Sequence, residues 1–150
     1  MALNTENFEK LASKVLVKYK DTSLQARWED AVSFGEGAKA LSFWVRDSED
    51  VVDIVWLCLD GIRDITWLPQ SNQSIFNFLP LSSIVTIEVR ETAGIAKALG
   101  YDVNGDFVVR VFHTAIKEAT LAWVAETTKQ KRDLRAFLSN VCTSYLNASR

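Results

Sequence analysis

The hydrophobic pattern of this chain changes its period at about residue 40, and this change limits the possible folds more than any other feature. Before it, apolar residues recur at helical spacing over residues 5–19 and 23–33. After it, they alternate with polar residues or run on continuously, in short segments separated by polar turns. The sequence therefore predicts two helices followed by antiparallel strands, which is an α+β order.

The part of the chain after residue 40 contains six or seven predicted strands. Residues 51–59 are apolar except for Asp53, as expected for a strand that is covered on both faces. Asp60 and Gly61 have the signature of a tight hairpin that joins this strand to the next. The predicted strands are residues 41–46, 51–59, 62–68, 75–79, 82–91, 106–114 and 119–126.

One further hairpin is predicted near residue 104. Asn104 followed by Gly105 is typical of a type I′ turn, which would pair residues 100–103 with residues 106–114. Residues 92–100 fit either a short helix or an irregular connection.

An apolar stripe at helical spacing predicts a final helix over residues 129–146. Because this helix follows the last strand, its apolar face is suited to closing one end of a sheet that is bent into a partly open barrel. The stripe comprises Leu134, Phe137, Leu138, Val141, Cys142, Tyr145 and Leu146.

Two segments carry a resemblance to a known architecture. SIFNFLPLSSIVTIEVRE (residues 74–91) reads as a strand, a short break and a second strand, and ATLAWVAETTKQKRDLRAFLSNV (residues 119–141) reads as a strand followed directly by a helix. Together with the order of elements, they make the stretch from Val51 to Tyr145 resemble a pleckstrin-homology-like (PH-like) domain. The resemblance implies a bent antiparallel meander and a closing helix within residues 38–150, with residues 1–37 as an N-terminal helical extension in one compact unit.

The resemblance does not extend to a phosphoinositide site. Members of this superfold that bind phosphoinositides carry several Lys and Arg residues around the first hairpin, whereas here Arg63 stands alone beside Asp60 and Asp64. The superfold also contains peptide-binding, scaffolding and dimerising modules, so the architecture by itself does not select a function.

No pattern in the sequence indicates catalysis, a metal site or a cofactor. His113 is the only histidine, and the two cysteines, Cys58 and Cys142, do not have metal-binding spacing. No glycine-rich phosphate loop is present. We therefore expect no enzyme activity and no cofactor, with a hydrolase or isomerase that uses Asp64 or Glu88 with His113 as a weak alternative.

Charge is distributed unevenly along a chain whose formal net charge is −2. Residues 41–128 hold six basic and twelve acidic side chains, whereas residues 129–150 hold five and one. The basic segment is either a small patch for an acidic partner or a solvated face that balances the acidic sheet, and we favour the second interpretation because four charges are few. We expect no nucleic-acid binding and at most peripheral membrane contact. The four charges are Lys129, Lys131, Arg132 and Arg135.

Two of the five tryptophans are candidates for partner recognition. Trp44 lies opposite the apolar face of its predicted strand, and Trp67 lies beside Arg63, so either indole fits an exposed patch. Burial under the N-terminal helices is the alternative for both.

These observations favour a non-enzymatic binding or scaffolding module whose partner is a protein or peptide, or a second copy in a homo-oligomer. We expect a cytoplasmic location because the N-terminus lacks the apolar run of a signal peptide. The alternative function is a carrier for a small hydrophobic ligand or lipid, with an apolar cavity inside the bent sheet.

Overall fold

The structure, a computed structural model, describes residues 5–34, 39–113 and 119–148. In chain order the elements are α1 (Thr5–Lys18), α2 (Ser23–Phe34), β1 (Ser42–Asp47), β2 (Val52–Leu57), β3 (Gly61–Leu68), β4 (Gln73–Pro80), a 3₁₀ turn (Leu81–Ser83), β5 (Ile84–Glu91), α3 (Ile95–Ala98), β6 (Phe107–His113), β7 (Ala119–Ala125) and α4 (Thr128–Ala148). Strands β1 to β4 form one antiparallel sheet and β5 to β7 form a second. The predicted α+β fold is confirmed, and the described strands form two sheets rather than a closed barrel.

One hydrophobic core lies between the two sheets and is closed by α4. Trp44 of the first sheet and Trp123 of the second are buried in it, and the Phe137 ring packs edge-on against Trp123 with 5.7 Å between the ring centroids. The predicted closing role of the C-terminal helix is therefore confirmed. The residues of α4 in this core are Leu134, Phe137, Leu138 and Val141.

The apolar stripe of α4 continues beyond the part of the helix that is packed. Cys142, Tyr145 and Leu146 are exposed, whereas Val141 is fully buried. The prediction that all seven residues of the stripe face the core is thus wrong for its last turn, because the helix extends past the sheet residues that it covers.

A second hydrophobic core lies on the outer face of the first sheet, under α1 and α2. The Phe8 ring of α1 lies 5.3 Å from the Trp56 ring and 5.1 Å from the Phe43 ring, and Leu24 of α2 is fully buried in the same core. Strand β2 therefore has a core on each face, and all six of its residues are buried. This confirms the covered strand predicted from the apolar run at residues 51–59, except that the strand is shorter and Leu59, at the end of the run, is exposed in the turn that follows.

The predicted hairpin between β2 and β3 is also confirmed, but its turn residues are Leu59 and Asp60 rather than Asp60 and Gly61, because Gly61 is already the first residue of β3. The Cys58 N–H donates to the Gly61 carbonyl oxygen at 2.9 Å, so the turn between the strands has two residues. Gly61 also lies against the backbone of β4, where a Cβ atom at this position would be 2.3 Å from the Leu79 carbonyl oxygen. A glycine is needed here because no side chain fits between the two strands.

We expect Gly61→Ala to lower the free energy of unfolding by about 1–3 kcal/mol, because the strands must separate to accept the methyl group. Urea unfolding measures the effect. Leu59→Ala in the same turn is the control, since Leu59 is 84% exposed and its loss should cost less than about 0.5 kcal/mol. Equal effects of the two substitutions would contradict the close approach of β4.

The predicted type I′ turn at Asn104 and Gly105 is wrong. Such a turn needs positive φ at both residues, and the glycines with positive φ in the described chain are Gly94 and Gly100. Residues 92–105 instead fold over the outer face of the second sheet, with α3 as a short helix, and β6 pairs with β5 and β7. The buried residues that hold this segment in place are Ile95, Ala96, Val108 and Val124.

Candidate functional site

The basic side chains at the start of α4 have acidic partners on the same molecule. Lys131 Nζ donates to Glu91 Oε2 at 2.7 Å, and Arg135 also donates to Glu91, which is the last residue of β5. The other two cations each lie 3.7 Å from a carboxylate oxygen of Asp133. This placement agrees with the interpretation that the basic segment is a solvated face whose positive charges balance acidic side chains of the same molecule. The four cations are Lys129, Lys131, Arg132 and Arg135.

Neither of the two candidate tryptophans is exposed, so the interpretation that either lies on an exposed patch is wrong. Trp44 is buried between the sheets, and its Nε1–H donates to the Gln130 carbonyl oxygen at 3.1 Å. Trp67 is buried in the core under the N-terminal helices, with its ring 4.8 Å from the ring of Tyr19, the residue after α1, and its Nε1–H donates to Asn72 Oδ1 at 3.1 Å. Both faces of the first sheet are covered, which is why indoles on its opposite faces, from β1 and β3, can both be buried.

The residues of the weak enzyme alternative lie at separate positions. Glu88 is opposite Arg110 in the pairing of β5 with β6, whereas His113 is opposite Ile84. Three residues along a strand correspond to about 10 Å. Arg110 donates to Glu88 at 2.6 Å, and these hydrogen bonds lower the pKa of Glu88. Asp64 is buried on the inner face of the first sheet.

A group of buried charged residues occupies one end of that inner face. Arg46 of β1 is opposite Asp53 of β2, and Asp53 is opposite Thr66 of β3. Arg46 is 2% exposed and Asp53 is 3% exposed. Arg46 Nη2 lies 3.0 Å from Glu126 Oε1, and the Thr66 hydroxyl donates to Asp53 Oδ1 at 2.8 Å. The fold thus holds a guanidinium between two carboxylates in a largely apolar interior.

The buried guanidinium of Arg46 retains unused hydrogen-bond donors. Its Nη1 atom is 3.7 Å from Asp53 Oδ2, which is beyond hydrogen-bond distance. Its Nε and Nη2 atoms form no hydrogen bond within the described chain, although Nη2 is in an ion pair with Glu126. Arg46 is therefore held by charge rather than by a complete set of hydrogen bonds.

Burial changes the acidity of the two aspartates on this face. It raises the pKa of Asp53 to about 6, while the charge of Arg46 and the hydrogen bond from Thr66 act in the opposite direction. Burial, together with the neighbouring charge of Asp53, raises the pKa of Asp64 well above its ordinary value. The Trp123 Nε1–H, 3.4 Å from Asp64 Oδ1, partly offsets this change.

A cleft of about 610 Å³ opens above Arg46 and Asp53. Its walls are the β1–β2 turn, the β3–β4 turn, the segment of residues 97–104 and two residues of β7. Asp50 and Asp102 contribute acidic side chains to the lining and Lys97 contributes a basic one, beside apolar residues such as Val51 and Leu68.

Sequence reasoning missed Arg46 and Asp53 as site residues. The available signal was Asp53 itself, because a charged residue within an otherwise apolar strand needs a buried partner.

The described residues contain no group of three or more His, Cys, Asp or Glu side chains arranged to hold a metal ion. In the same part of the chain, every helix is too short or too polar to cross a membrane. Comparisons of the chain with protein-family models, with curated proteins and with solved structures found no match.

Proposed function

We propose that the protein is a non-enzymatic binding module of PH-like architecture that takes a segment of a partner protein into the cleft above Arg46 and Asp53. The order of two helices, a four-stranded sheet, a three-stranded sheet and a closing helix is compatible with that architecture.

The observation that carries this proposal is the incompletely hydrogen-bonded Arg46 in the lining of the cleft. Burial of a charged group with unused donors costs stability, and an apolar residue at such a position is often neutral or better for the fold. A binding role accounts for that cost, because Arg46 lines the cleft and a ligand that enters it would bring a hydrogen-bond acceptor to the guanidinium.

The packing between the sheets favours a polar partner over a hydrophobic ligand. Large side chains fill this interior, including Trp44, Phe107, Trp123 and Phe137. The cleft, in contrast, has both charged and apolar side chains in its lining. Its size is within the range of ligand sites and accommodates a few residues of a peptide segment.

Charge reversal in the cleft lining tests the proposal. We expect Asp50→Lys/Asp102→Lys to reduce recovery of the partner from a cell extract by about tenfold or more, because both exposed side chains line the cleft. Glu29→Lys/Glu49→Lys makes the same charge change at exposed positions outside the lining and should recover the partner normally. Quantitative mass spectrometry of proteins retained by the immobilised chain gives the comparison.

Equal recovery by the two double variants would contradict a site in the cleft. Retention of the chain itself as the main partner would identify the module as self-associating.

A further inference from the structure

The floor of the cleft presents a hydrogen-bond donor and an acceptor side by side. Arg46 Nη1 and Asp53 Oδ2 belong to residues that face each other on β1 and β2, and they lie 3.7 Å apart. The hydroxyl of Thr66 binds the other carboxylate oxygen of Asp53 and so orients the carboxylate. No hydrogen bond joins Nη1 to Oδ2 directly, and both residues line the cleft, so a group that enters the cleft can bridge the two side chains.

We propose that this pair recognises a primary carboxamide, the side chain of an asparagine or glutamine of the partner protein, and this inference rests on the function proposed above. In the complex the carboxamide oxygen accepts a hydrogen bond from the guanidinium of Arg46. The carboxamide NH₂ group donates to the carboxylate of Asp53. One planar group thereby satisfies a donor and an acceptor on neighbouring strands.

The charges around the pair favour a neutral group over an ionised one. A carboxylate entering the cleft would bind Arg46 but would meet the negative charges of Asp53 and Glu126, which already flank the guanidinium. An ammonium group would bind Asp53 but would lie beside the buried charge of Arg46. A carboxamide adds no charge to a site where any uncompensated charge is costly.

The wall of the cleft is also suited to such a side chain. Val51 and Leu68 line the same space, and they offer apolar contact to the methylene groups that precede the carboxamide. The polar end and the apolar stem of the side chain would therefore each meet a matching surface.

Nuclear magnetic resonance titration of the ¹⁵N-labelled full chain tests the assignment. The probes are four tripeptides with acetyl and N-methylamide ends and a central residue of glutamine, glutamate, lysine or leucine, flanked by glycines. We expect the glutamine peptide to shift the amide signals of residues 51–53, 66–68 and 101–104 in a saturable way. The other three peptides should need at least about tenfold higher concentration.

A pair of matched variants separates recognition from folding. In Asp53→Asn the new amide oxygen keeps the hydrogen bond from Thr66, and an NH₂ group takes the place of the other carboxylate oxygen. This NH₂ group would face the NH₂ group of the glutamine side chain. Because both are donors, the glutamine peptide should no longer bind. Asp60→Asn changes the aspartate that binds Arg63 in the β2–β3 turn, outside the cleft lining, and should leave binding unchanged. The amide spectrum of each variant reports whether it remains folded.

Each result decides the assignment. Selective shifts with glutamine that Asp53→Asn removes and Asp60→Asn retains would support it. Equal shifts with all four peptides, preference for glutamate or lysine, or no shift around the cleft would overturn it. If the charge reversal of the lining still abolishes partner recovery, the cleft remains the binding site and only the carboxamide is wrong; if partner recovery also survives that reversal, both proposals fail.

Discussion

Replacement of Phe137 by alanine is expected to lower the free energy of unfolding by about 3–5 kcal/mol. Phe137 is fully buried, and its ring packs against Trp123 in the core that α4 closes. Removal of the ring leaves a cavity at the point where the helix meets both sheets, and close packing around it limits relaxation. Urea unfolding followed by tryptophan fluorescence measures the loss.

Tyr145 on the same helix provides the control for this substitution. Its side chain is 38% exposed, so Tyr145→Ala should change the free energy of unfolding by less than about 0.5 kcal/mol. A loss below about 1 kcal/mol for Phe137→Ala would mean that α4 does not close the core.

The stability of the protein should fall as the pH rises from about 4 to about 6, through the titration of Asp53. Its pKa is raised from the ordinary 3.8 to about 6 in the folded chain, so the folded state binds this proton more tightly than the unfolded state. The contribution is fully present below the unfolded pKa and is lost as the pH passes the folded pKa. The difference corresponds to about 3 kcal/mol, and the raised pKa of Asp64 acts in the same direction.

Asp53→Asn isolates this effect from the other carboxylates. The variant should gain stability relative to the parent chain as the pH rises from 4 to 7, measured by urea unfolding at each pH. Asp60 provides the opposite case, because its hydrogen bonds with Arg63 lower its pKa below the ordinary 3.8. Asp60→Asn should therefore lose stability relative to the parent chain as the pH rises toward 4, with little further change between pH 4 and 7. If the difference in free energy of unfolding between Asp53→Asn and the parent chain did not change with pH, the burial of the ionised Asp53 side chain would be contradicted.

Local sequence patterns predict the elements whose buried face can be recognised from the spacing of their own apolar residues. The apolar run of β2 and the stripe of α4 each indicate a packed surface, and both are packed as expected. The same patterns do not show where the sheet surface under α4 ends. For that reason the stripe predicts that Tyr145 is buried, whereas it is exposed. The short helix α3 is one of the two alternatives that the sequence leaves open for residues 92–100, but the hairpin predicted for residues 100–114 is wrong, because β6 pairs with β5 and β7.

The candidate site depends on information that no local pattern contains. Asp53 interrupts an apolar run and is visible in the sequence, but its pairing with Arg46 requires the register of β1 with β2. The cleft additionally requires residues 97–104, which pack on the second sheet, to face the turns at one end of the first sheet. Tertiary packing sets both features, so the site follows only from the assembled fold.

Hydrogen–deuterium exchange of the chain in complex with its recovered partner tests the cleft as the binding site most directly. We predict slower exchange on binding at residues 50–53, 66–71 and 97–104, which line or adjoin the cleft, with little change in α1 and α2. Protection confined to the N-terminal helices or to the basic start of α4, with the cleft unchanged, would contradict the proposed function.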